Sequence, residues 1–341
     1  MRAQKVLIIT PKFPYPSNGA CELDRASGIE WFLKQGYEVR VITKVHSEVL
    51  AAQALVKGKE LGISITPVVY VSGQHQTLRQ KIKQGWVRFS QLKFWDGAAF
   101  EYTDPVIHEA VERELKNFKP AVVWCEYTYL WPLYALIRSY CIPVVTRSHN
   151  FEPQHFLEED GVSFKTPFLY FAKLHSEKQM LAASTVLAAI TPRETERYQQ
   201  LTKKTIPLFT LPLRGLPRCE PNNVVPKTTI PLRVFFMGST YTVAHNYRAA
   251  QFIGEKIVPL IRKKIPNTFV FYILGRKVPK KLLAMSASDL QFPGYIPSEQ
   301  FDDFLKGMDI CLAPSLAGAG MQQKVFEPLK RGFPTITSPR S

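Results

Sequence analysis

The residues Gly318-Ala-Gly-Met-Gln-Gln-Lys324-Val-Phe-Glu327, close to the end of the chain, have the types and spacing to bind an anion. Glycines let backbone N–H groups approach a ligand, a helix start presents unpaired donors and the positive end of its dipole, and Lys324 would add a full charge. Glu327, three residues on, shares a helix face with Lys324 and could accept hydrogen bonds from vicinal hydroxyls. The apolar run 310–314 ahead of the glycines reads as a strand, so the segment is a strand, a glycine loop and a helix. Such turns are common. On this segment alone an ordinary surface helix with a Lys/Glu pair, worth about 0.2–0.5 kcal/mol, stays equally open.

The elements that would position this loop repeat along the chain. Apolar runs at 5–10, 38–43, 67–71, 121–125, 143–146 and 185–190 alternate with helical stretches, the first over about 23–35, as in a mostly parallel sheet covered on both faces. The stretch 212–231 contains Pro212, Pro217, Pro221, Pro226 and Pro231 with little periodicity and reads as a linker. The alternation then restarts: strands at 232–237, 268–274, near Gln291, 310–314 and 334–337, with helices over about 247–264 and 299–307. The expectation is an α/β protein of two Rossmann-like doubly wound domains, 1–211 and 232–341, with ligands outside the carboxyl ends of the strands, in a cleft between the domains. A doubly wound domain normally carries further helices after such a last strand, so the second domain is expected to be incomplete at Ser341.

Composition narrows the partners. With 341 residues, 45% hydrophobic and 21% charged, the chain can bury two large cores. No window reaches the roughly 18 uncharged apolar residues of a membrane span, and no signal-peptide pattern opens the chain, so a cytoplasmic protein is expected. Five cysteines lie far apart without C-x-x-C spacing, and Cys125, Cys141 and Cys311 sit in or beside apolar runs, so buried free thiols are expected. The balance of 44 basic against 28 acidic residues, net +16, points to an anionic partner: nucleic acid, an acidic bilayer or a phosphate-rich substrate. The basic residues are scattered, the densest set being Arg79, Lys81, Lys83, Arg88 and Lys93, and no nucleic-acid-binding signature occurs, which disfavours nucleic acid.

Six segments in order carry a resemblance to a known family. They are Thr10-Pro-Lys-Phe-Pro-Tyr-Pro-Ser-Asn18-Gly19, Arg147-Ser-His149-Asn150-Phe-Glu152, Phe236-Met-Gly238-Ser with Asn246, Leu274-Gly275-Arg276, Phe292-Pro-Gly294-Tyr295, and the glycine loop with its helix. Together they resemble the GT-B glycosyltransferases, specifically glycosyltransferase family four of the bacterial polysaccharide-assembly type, over nearly the whole chain. The resemblance implies a retaining, metal-independent transfer of a hexose from a nucleotide diphosphate sugar to a polysaccharide or lipid-linked acceptor. No cofactor is implied beyond that co-substrate. A leaving diphosphate develops negative charge in the transition state, where fixed cations and N–H groups stabilise it. The donor would be held by Gly238, Arg276, Gly294, Tyr295, Gly318, Gly320, Lys324 and Glu327, with Glu327 on the ribose and the backbone after Gly294 at the base. Asn18 and Gly19 would close over the phosphates or the acceptor. His149 and Lys324 would be catalytic, His149 orienting the sugar or stabilising charge, not acting as nucleophile.

Several residues keep two readings. His149 at a strand end could equally be a structural hydrogen-bonder. Arg147 is either a phosphate contact or a salt-bridged scaffold arginine, Arg276 either a phosphate contact or a strand terminator, and Glu152 a site group or a solvated loop carboxylate. Glu22 and Asp24 read as charges near the N-terminus of a helix. Departures from the family pattern are equally visible. The first of two tail glutamates falls on Ala319, Gln322 stands where related enzymes often have arginine, and the Arg and Lys that commonly follow the Gly238 loop are replaced by Ser239-Thr-Tyr-Thr-Val-Ala-His245. Neutralisation of a diphosphate would then rest on Lys324, with Arg276 or Arg248 assisting. No Asp-x-Asp motif occurs, Asp302-Asp303 reads as a solvated helix face, and no metal is expected. The basic charge would dock the protein on the anionic inner face of the membrane. Two alternatives remain: a nucleotide-sugar epimerase of GT-B fold, which needs an acid/base carboxylate pair, and a non-catalytic or truncated nucleotide-sugar-binding protein.

Overall fold

A computed structural model describes residues 4–17, 20–70, 78–79, 82, 85–86, 90, 95–159, 163–202, 206–216, 230–316 and 323–338. The chain divides into two compact units, Met1–Gly215 and Leu216–Ser341. The division falls inside the proline-rich stretch, near its start.

In the first unit, strands β1 (Lys5–Thr10), β2 (Glu38–Val45), β3 (Ser64–Val69), β4 (Val122–Cys125), β5 (Val144–Arg147), β6 (Val186–Ala189) and β7 (Leu208–Thr210) form one parallel sheet in the order β3-β2-β1-β4-β5-β6-β7. Successive side chains of a strand point to opposite faces. Leu7 and Ile9 accordingly join one core cluster with Val123, Cys125 and Val144, while Val6 and Ile8 join another with Val39, Val41, Ile29 and Phe32. Both faces are buried, which is why these strands read as unbroken apolar runs. Helices Ala20–Lys34, Glu48–Leu61, Pro105–Phe118, Thr166–Ala183 and Pro192–Leu201 provide cover. Their ends follow local chemistry: Ser47 accepts a hydrogen bond from Leu50 N at 3.3 Å, Asp104 from Val106 N at 3.0 Å and Thr191 from Glu194 N at 3.2 Å.

The second unit repeats the plan with β8 (Leu232–Thr240), β9 (Phe269–Arg276), β10 (Leu290–Gly294), β11 (Ile310–Ala313) and β12 (Thr335–Thr337), parallel in the order β10-β9-β8-β11-β12. Val234 and Phe236 pack with Phe271, Ile273 and Leu312 on one face, and Phe235 with Cys311, Ala313 and Val325 on the other. The helix expected over 247–264 is three pieces: Ala244–Phe252, a widened π turn Ile253–Ile257 and Val258–Lys264. Pro259 explains the widening, since it has no N–H to give to the carbonyl four residues back.

In both sheets strand order reverses direction between the first strand and the fourth, at β1/β4 and β8/β11. Those are the switch points at which doubly wound sheets bind ligands. Two expectations need correction. Cys141 is exposed, because it sits in a left-handed turn (φ 57°) between the helix Tyr134–Ser139 and β5, whereas Cys125 and Cys311 are buried as strand residues. Residues 212–215 belong to the first unit, tied down by side chains described below.

Candidate functional site

At the switch point of the second unit, the helix Gln323–Lys330 follows β11 and carries Lys324 in its first turn. The ammonium Nζ is buried without a hydrogen-bond partner among the described residues, 5.6 Å from the ring centroid of Phe236 on β8. Burial pushes its pKa down. A cation held against an aromatic face and deprived of acceptors has lost its water without replacement, so an anion placed there would recover that cost. Glu327, one turn on, accepts from Arg331 Nε at 2.8 Å, and Arg331 also reaches Asp302 at 2.7 Å. The remaining lone pairs of Glu327 stay available, since its side chain is 37% exposed.

Close backbone contact shapes the neighbouring strand ends. A Cβ on Gly275, whose φ is +146°, would come within 2.2 Å of Gly238 O, and a Cβ on Gly238 within 2.6 Å of the Tyr241 hydroxyl, which donates to Leu274 O at 2.7 Å. Glycine at both positions is thus a requirement of packing between β8 and β9. Asn246 ties the same corner to the next helix, donating to Ser239 Oγ at 3.1 Å and Thr240 O at 3.2 Å. Arg276, at the end of β9, lies 3.9 Å from the ring centroid of Tyr295, which follows the left-handed Gly294 (φ +82°) at the end of β10. Arg276, Gly294 and Tyr295 therefore form one exposed cation–aromatic corner. Gly318, Gly320, Asn18 and Gly19 lie outside the described residues.

The switch point of the first unit holds a buried polar cluster. His149 follows β5, Glu126 follows β4, Asp24 comes from the helix after β1, and Arg214 comes from the end of the unit; the side chains of Asp24, Glu126 and His149 are at most 1% exposed. Arg214 Nη2 donates to Asp24 Oδ2 at 2.8 Å and to both Glu126 oxygens at 2.9 Å, while its backbone N–H donates to Asp24 Oδ1 at 2.6 Å. Arg147, fully buried, lies 3.5 Å from Asp24 and donates to the carbonyls of Leu211 and Pro212. It is a scaffold arginine. Burial alone would raise the Asp24 carboxyl, but the bonded Arg214 guanidinium outweighs this and holds it well below the carboxylate range; Glu126 is held down in the same way.

His149 meets this cluster as a neutral ring. Burial pushes its pKa down, and the hydrogen bond to Glu126 only partly opposes that. With Glu126 ionised and 3.4 Å from Nε2, the ring proton belongs on Nε2; Nδ1 then carries a lone pair without a hydrogen-bond partner among the described residues, 3.9 Å from Asp24 Oδ2. Tyr127 stacks on the ring at 5.4 Å. The loop after His149 is clamped by further buried groups. Glu194 accepts from Phe151 N at 3.0 Å, and Glu177 accepts from Glu152 N at 3.2 Å and from the Tyr198 hydroxyl at 3.0 Å. Burial pushes the Glu194 carboxyl up to about 7 and that of Glu177 well above its usual range.

Asp24, Glu126 and His149 each offer a ligand atom within 4.8 Å of the others, a spacing a metal ion could use. The charges argue otherwise. Two carboxylates already face two guanidiniums, and Arg214 occupies the carboxylate oxygens that would ligate.

Residues 231–341 match the family model of the glycosyl transferases group 1. No curated protein matches the chain. Among solved structures, the lipopolysaccharide outer core galactosyltransferase WaaB superposes with a TM-score of 0.62 at 10% identity, covering 99% of this chain and 82% of that one. The N-terminal domain of Candida albicans trehalose-6-phosphate phosphatase gives 0.59 at 12% identity over 100% and 83%. Phytolacca americana UGT2, solved with UDP-2fluoro-glucose and pterostilbene, gives 0.53 at 11% over 99% and 81%. The chain has the GT-B fold, and its second unit matches the group 1 glycosyltransferase model over residues 231–341.

Within this GT-B chain, Lys324 and Glu327 share the turn and helix after β11, and Arg276, Gly294 and Tyr295 share the ends of β9 and β10. Sequence reasoning missed Glu126 and Arg214 and took Asp24 for a helix-end charge, a reading the structure corrects. Glu126 had a usable signal, a carboxylate directly after an apolar strand at the binding end of a parallel sheet. Glu152 is no solvated carboxylate: it accepts from the Tyr127 hydroxyl at 2.8 Å and from Lys173 at 3.2 Å.

Proposed function

We propose that this GT-B protein transfers a hexose, with retention, from a nucleotide diphosphate sugar to a polysaccharide or lipid-linked acceptor. Lys324 carries the reading: an ammonium buried without an acceptor among the described residues, in the first turn of a helix at the switch point, has the chemistry of a diphosphate receptor. There it would also stabilise the charge that develops on the leaving diphosphate. Arg276 and Tyr295 would flank the nucleotide, and the free lone pairs of Glu327 would accept from the ribose hydroxyls. A 2′-deoxyribose analogue tests that contact: Glu327→Gln should discriminate less against it than wild type does.

Retention and metal independence are supported by the first unit. Inversion needs a general base free to take the acceptor proton. Asp24 and Glu126 are instead saturated by Arg214, a state equally unsuited to the acid/base pair of an epimerase or to binding a metal. His149 would accept a sugar hydroxyl at Nδ1. Proton NMR of the product's anomeric centre tests retention, and turnover in chelator tests metal independence. The deciding experiment is a thermal-shift panel of UDP, GDP and dTDP with their sugar conjugates, since a ligand that binds only the native state raises the melting temperature with log concentration. A flat response to every nucleotide would sink the proposal.

We place the protein at the cytoplasmic face of a membrane. Its net charge is +16, no described helix is long and apolar enough to cross a membrane, and Phe164, Phe168 and Phe171 stand 82%, 48% and 63% exposed beside Lys165. Co-sedimentation with phosphatidylglycerol vesicles, absent with phosphatidylcholine, is the expected result.

A further inference from the structure

The loop that carries His149 is tied on both sides to a pair of buried side chains that the transfer chemistry does not use, Glu177 on the helix Thr166–Ala183 and Tyr198 on the helix Pro192–Leu201. Before His149, Ser148 Oγ lies 2.9 Å from the Tyr198 hydroxyl and donates to Asn150 O at 3.0 Å. After it, Glu152 N donates to Glu177 Oε1 at 3.2 Å, where Thr128 Oγ1 also donates at 3.2 Å. Tyr198 joins the two sides, its hydroxyl 3.0 Å from Glu177 Oε2. Ser148, Glu177 and Tyr198 are all fully buried, so water supplies none of these bonds.

The protons of this chain can be counted. Its close contacts run in series, Glu177 Oε2 to Tyr198 OH, Tyr198 OH to Ser148 Oγ and Ser148 Oγ to Asn150 O, and each needs a proton. The hydroxyls of Tyr198 and Ser148 carry one each, which leaves the series one short. With Glu177 ionised, Tyr198 must donate to it and Ser148 has a single proton for two acceptors; one pair of buried oxygens then meets at 2.9 or 3.0 Å with nothing between them. The 3.4 Å contact of Tyr198 with Asn150 O competes for the same protons and relieves nothing. A neutral Glu177 supplies the missing proton. The acid then donates to the phenol, the phenol to Ser148 and Ser148 to the Asn150 carbonyl, while Oε1 stays free to accept from Glu152 N and Thr128. The contact between Glu177 and Tyr198 thus runs from acid to phenol, opposite to the direction an ionised carboxylate imposes.

We propose that Glu177 is held as a neutral carboxylic acid and that, with Tyr198, it positions the loop carrying His149. The pair grips the backbone one residue before His149 and again at Glu152, whose carboxylate accepts from the hydroxyl of Tyr127, the ring stacked on His149. A fully satisfied buried network of this kind fixes one geometry. The electrostatics agree. Burial pushes the Glu177 carboxyl well above its usual range and the Glu152 charge adds to the rise, with Lys173 beside Glu152 at 3.2 Å; Tyr198, Glu194 beyond it and Tyr134 are the other titratable groups coupled to this centre. The proposal deepens the transferase reading and rests on it only for what His149 is positioned to do.

The test uses the full chain. An infrared difference spectrum at neutral pH, wild type minus Glu177→Gln, should show the carbonyl stretch of a protonated carboxylic acid; a carboxylate band in its place overturns the proposal. Glutamine copies the neutral acid, with a carbonyl for Glu152 N and Thr128 and an N–H for Tyr198, so Glu177→Gln should fold and melt as wild type does, and its failure to fold would count against a neutral Glu177. Positioning is read at His149 itself, by proton–nitrogen NMR of the histidine rings with His149→Gln as the assignment. The Nε2–H signal should stay sharp in Glu177→Gln and broaden or vanish in Tyr198→Phe and in Glu177→Leu. Raising the pH until Glu177 ionises should broaden it in wild type but not in Glu177→Gln. An unchanged His149 signal in Tyr198→Phe means that nothing is positioned, and the proposal fails whether or not Glu177→Leu folds. None of these measurements needs turnover, so a flat response to nucleotides would end the transferase reading while leaving this one standing, and the reverse holds equally.

Discussion

Glu194→Gln tests the clamp on the His149 loop in a quantity that can be worked out beforehand. Thr191-Pro-Arg-Glu194 has capping-box spacing, but the Glu194 carboxylate turns away to accept the Phe151 N–H at 3.0 Å, two residues beyond His149, while its other oxygen is buried without a partner among the described residues. Burial pushes this carboxyl up to about 7, against 4.5 for an ordinary glutamate. At 1.36 kcal/mol per pH unit that gap is worth about 3 kcal/mol. The sign follows from proton uptake. Between the two values the folded state holds a proton that the unfolded state has released, so the contribution is fully present below pH 4.5 and is lost as pH rises through 7. Glutamine keeps a carbonyl for the Phe151 N–H and has nothing to titrate. Wild type should therefore lose up to about 3 kcal/mol relative to Glu194→Gln between pH 5 and 8. All five tryptophans (31, 86, 95, 124 and 131) lie in the first unit, so tryptophan fluorescence during urea unfolding reports that unit alone. Any fixed cost of the amide cancels in the pH dependence. Parallel curves for the two proteins would show that Glu194 is ionised throughout, and the account of the clamp would fail.

Lys324→Ala should weaken nucleotide diphosphate binding by about 10- to 100-fold, the scale of a lost charged hydrogen bond, with Lys330→Ala near wild type; equal affinities by titration calorimetry would remove Lys324 from the site. His149→Gln should lower kcat and kcat/KM together while leaving nucleotide diphosphate affinity unchanged, because its contact would be made with the transferring sugar; unaltered kcat makes His149 structural. Gly28→Ala puts a Cβ 2.1 Å from Arg214 Nη1 and should cost about 3–5 kcal/mol by driving the guanidinium off two buried carboxylates, with urea unfolding as the measure and wild-type stability as the refuting result.

The sheets were legible because both faces of each are buried. Strands such as Lys5–Thr10 and Ile310–Ala313 appear as unbroken apolar runs, whose length and spacing suffice to place them. β7 was missed: three residues, Leu208–Thr210, between prolines and polar residues leave no periodicity to detect. The pairing of Lys324 with Glu327 was legible for a related reason, since the two lie within one turn of one helix. The first unit's cluster was not. Its members, at 24, 126, 147, 149 and 214, come from five places in the chain, and Arg214 sits in a proline-rich stretch that resembles a linker by every local criterion. What holds that stretch to the first unit is a pair of long-range interactions, Arg147 on the carbonyls of Leu211 and Pro212 and Asp24 on the backbone of Arg214, which no window of sequence contains.

The two switch points sort buried charge in ways that separate architecture from recognition. Where Asp24 and Glu126 meet Arg147 and Arg214, opposite charges match in number and hydrogen bonds use up the oxygens, so the free protein is already complete there and breaking any partner leaves a costly orphan. Lys324 is the opposite case, an ammonium whose Nζ is buried without an acceptor among the described residues. A net charge of +16 spread over the surface says only that anions are welcome somewhere. An ammonium denied water, with no counter-charge among the described residues, says where, because the free protein bears a desolvation cost at Lys324 Nζ that binding an anion would relieve. That asymmetry also predicts which substitutions the free chain tolerates: apolar replacement should be tolerated at Lys324 and damaging at Arg147 and Arg214, although all three are basic residues at a switch point.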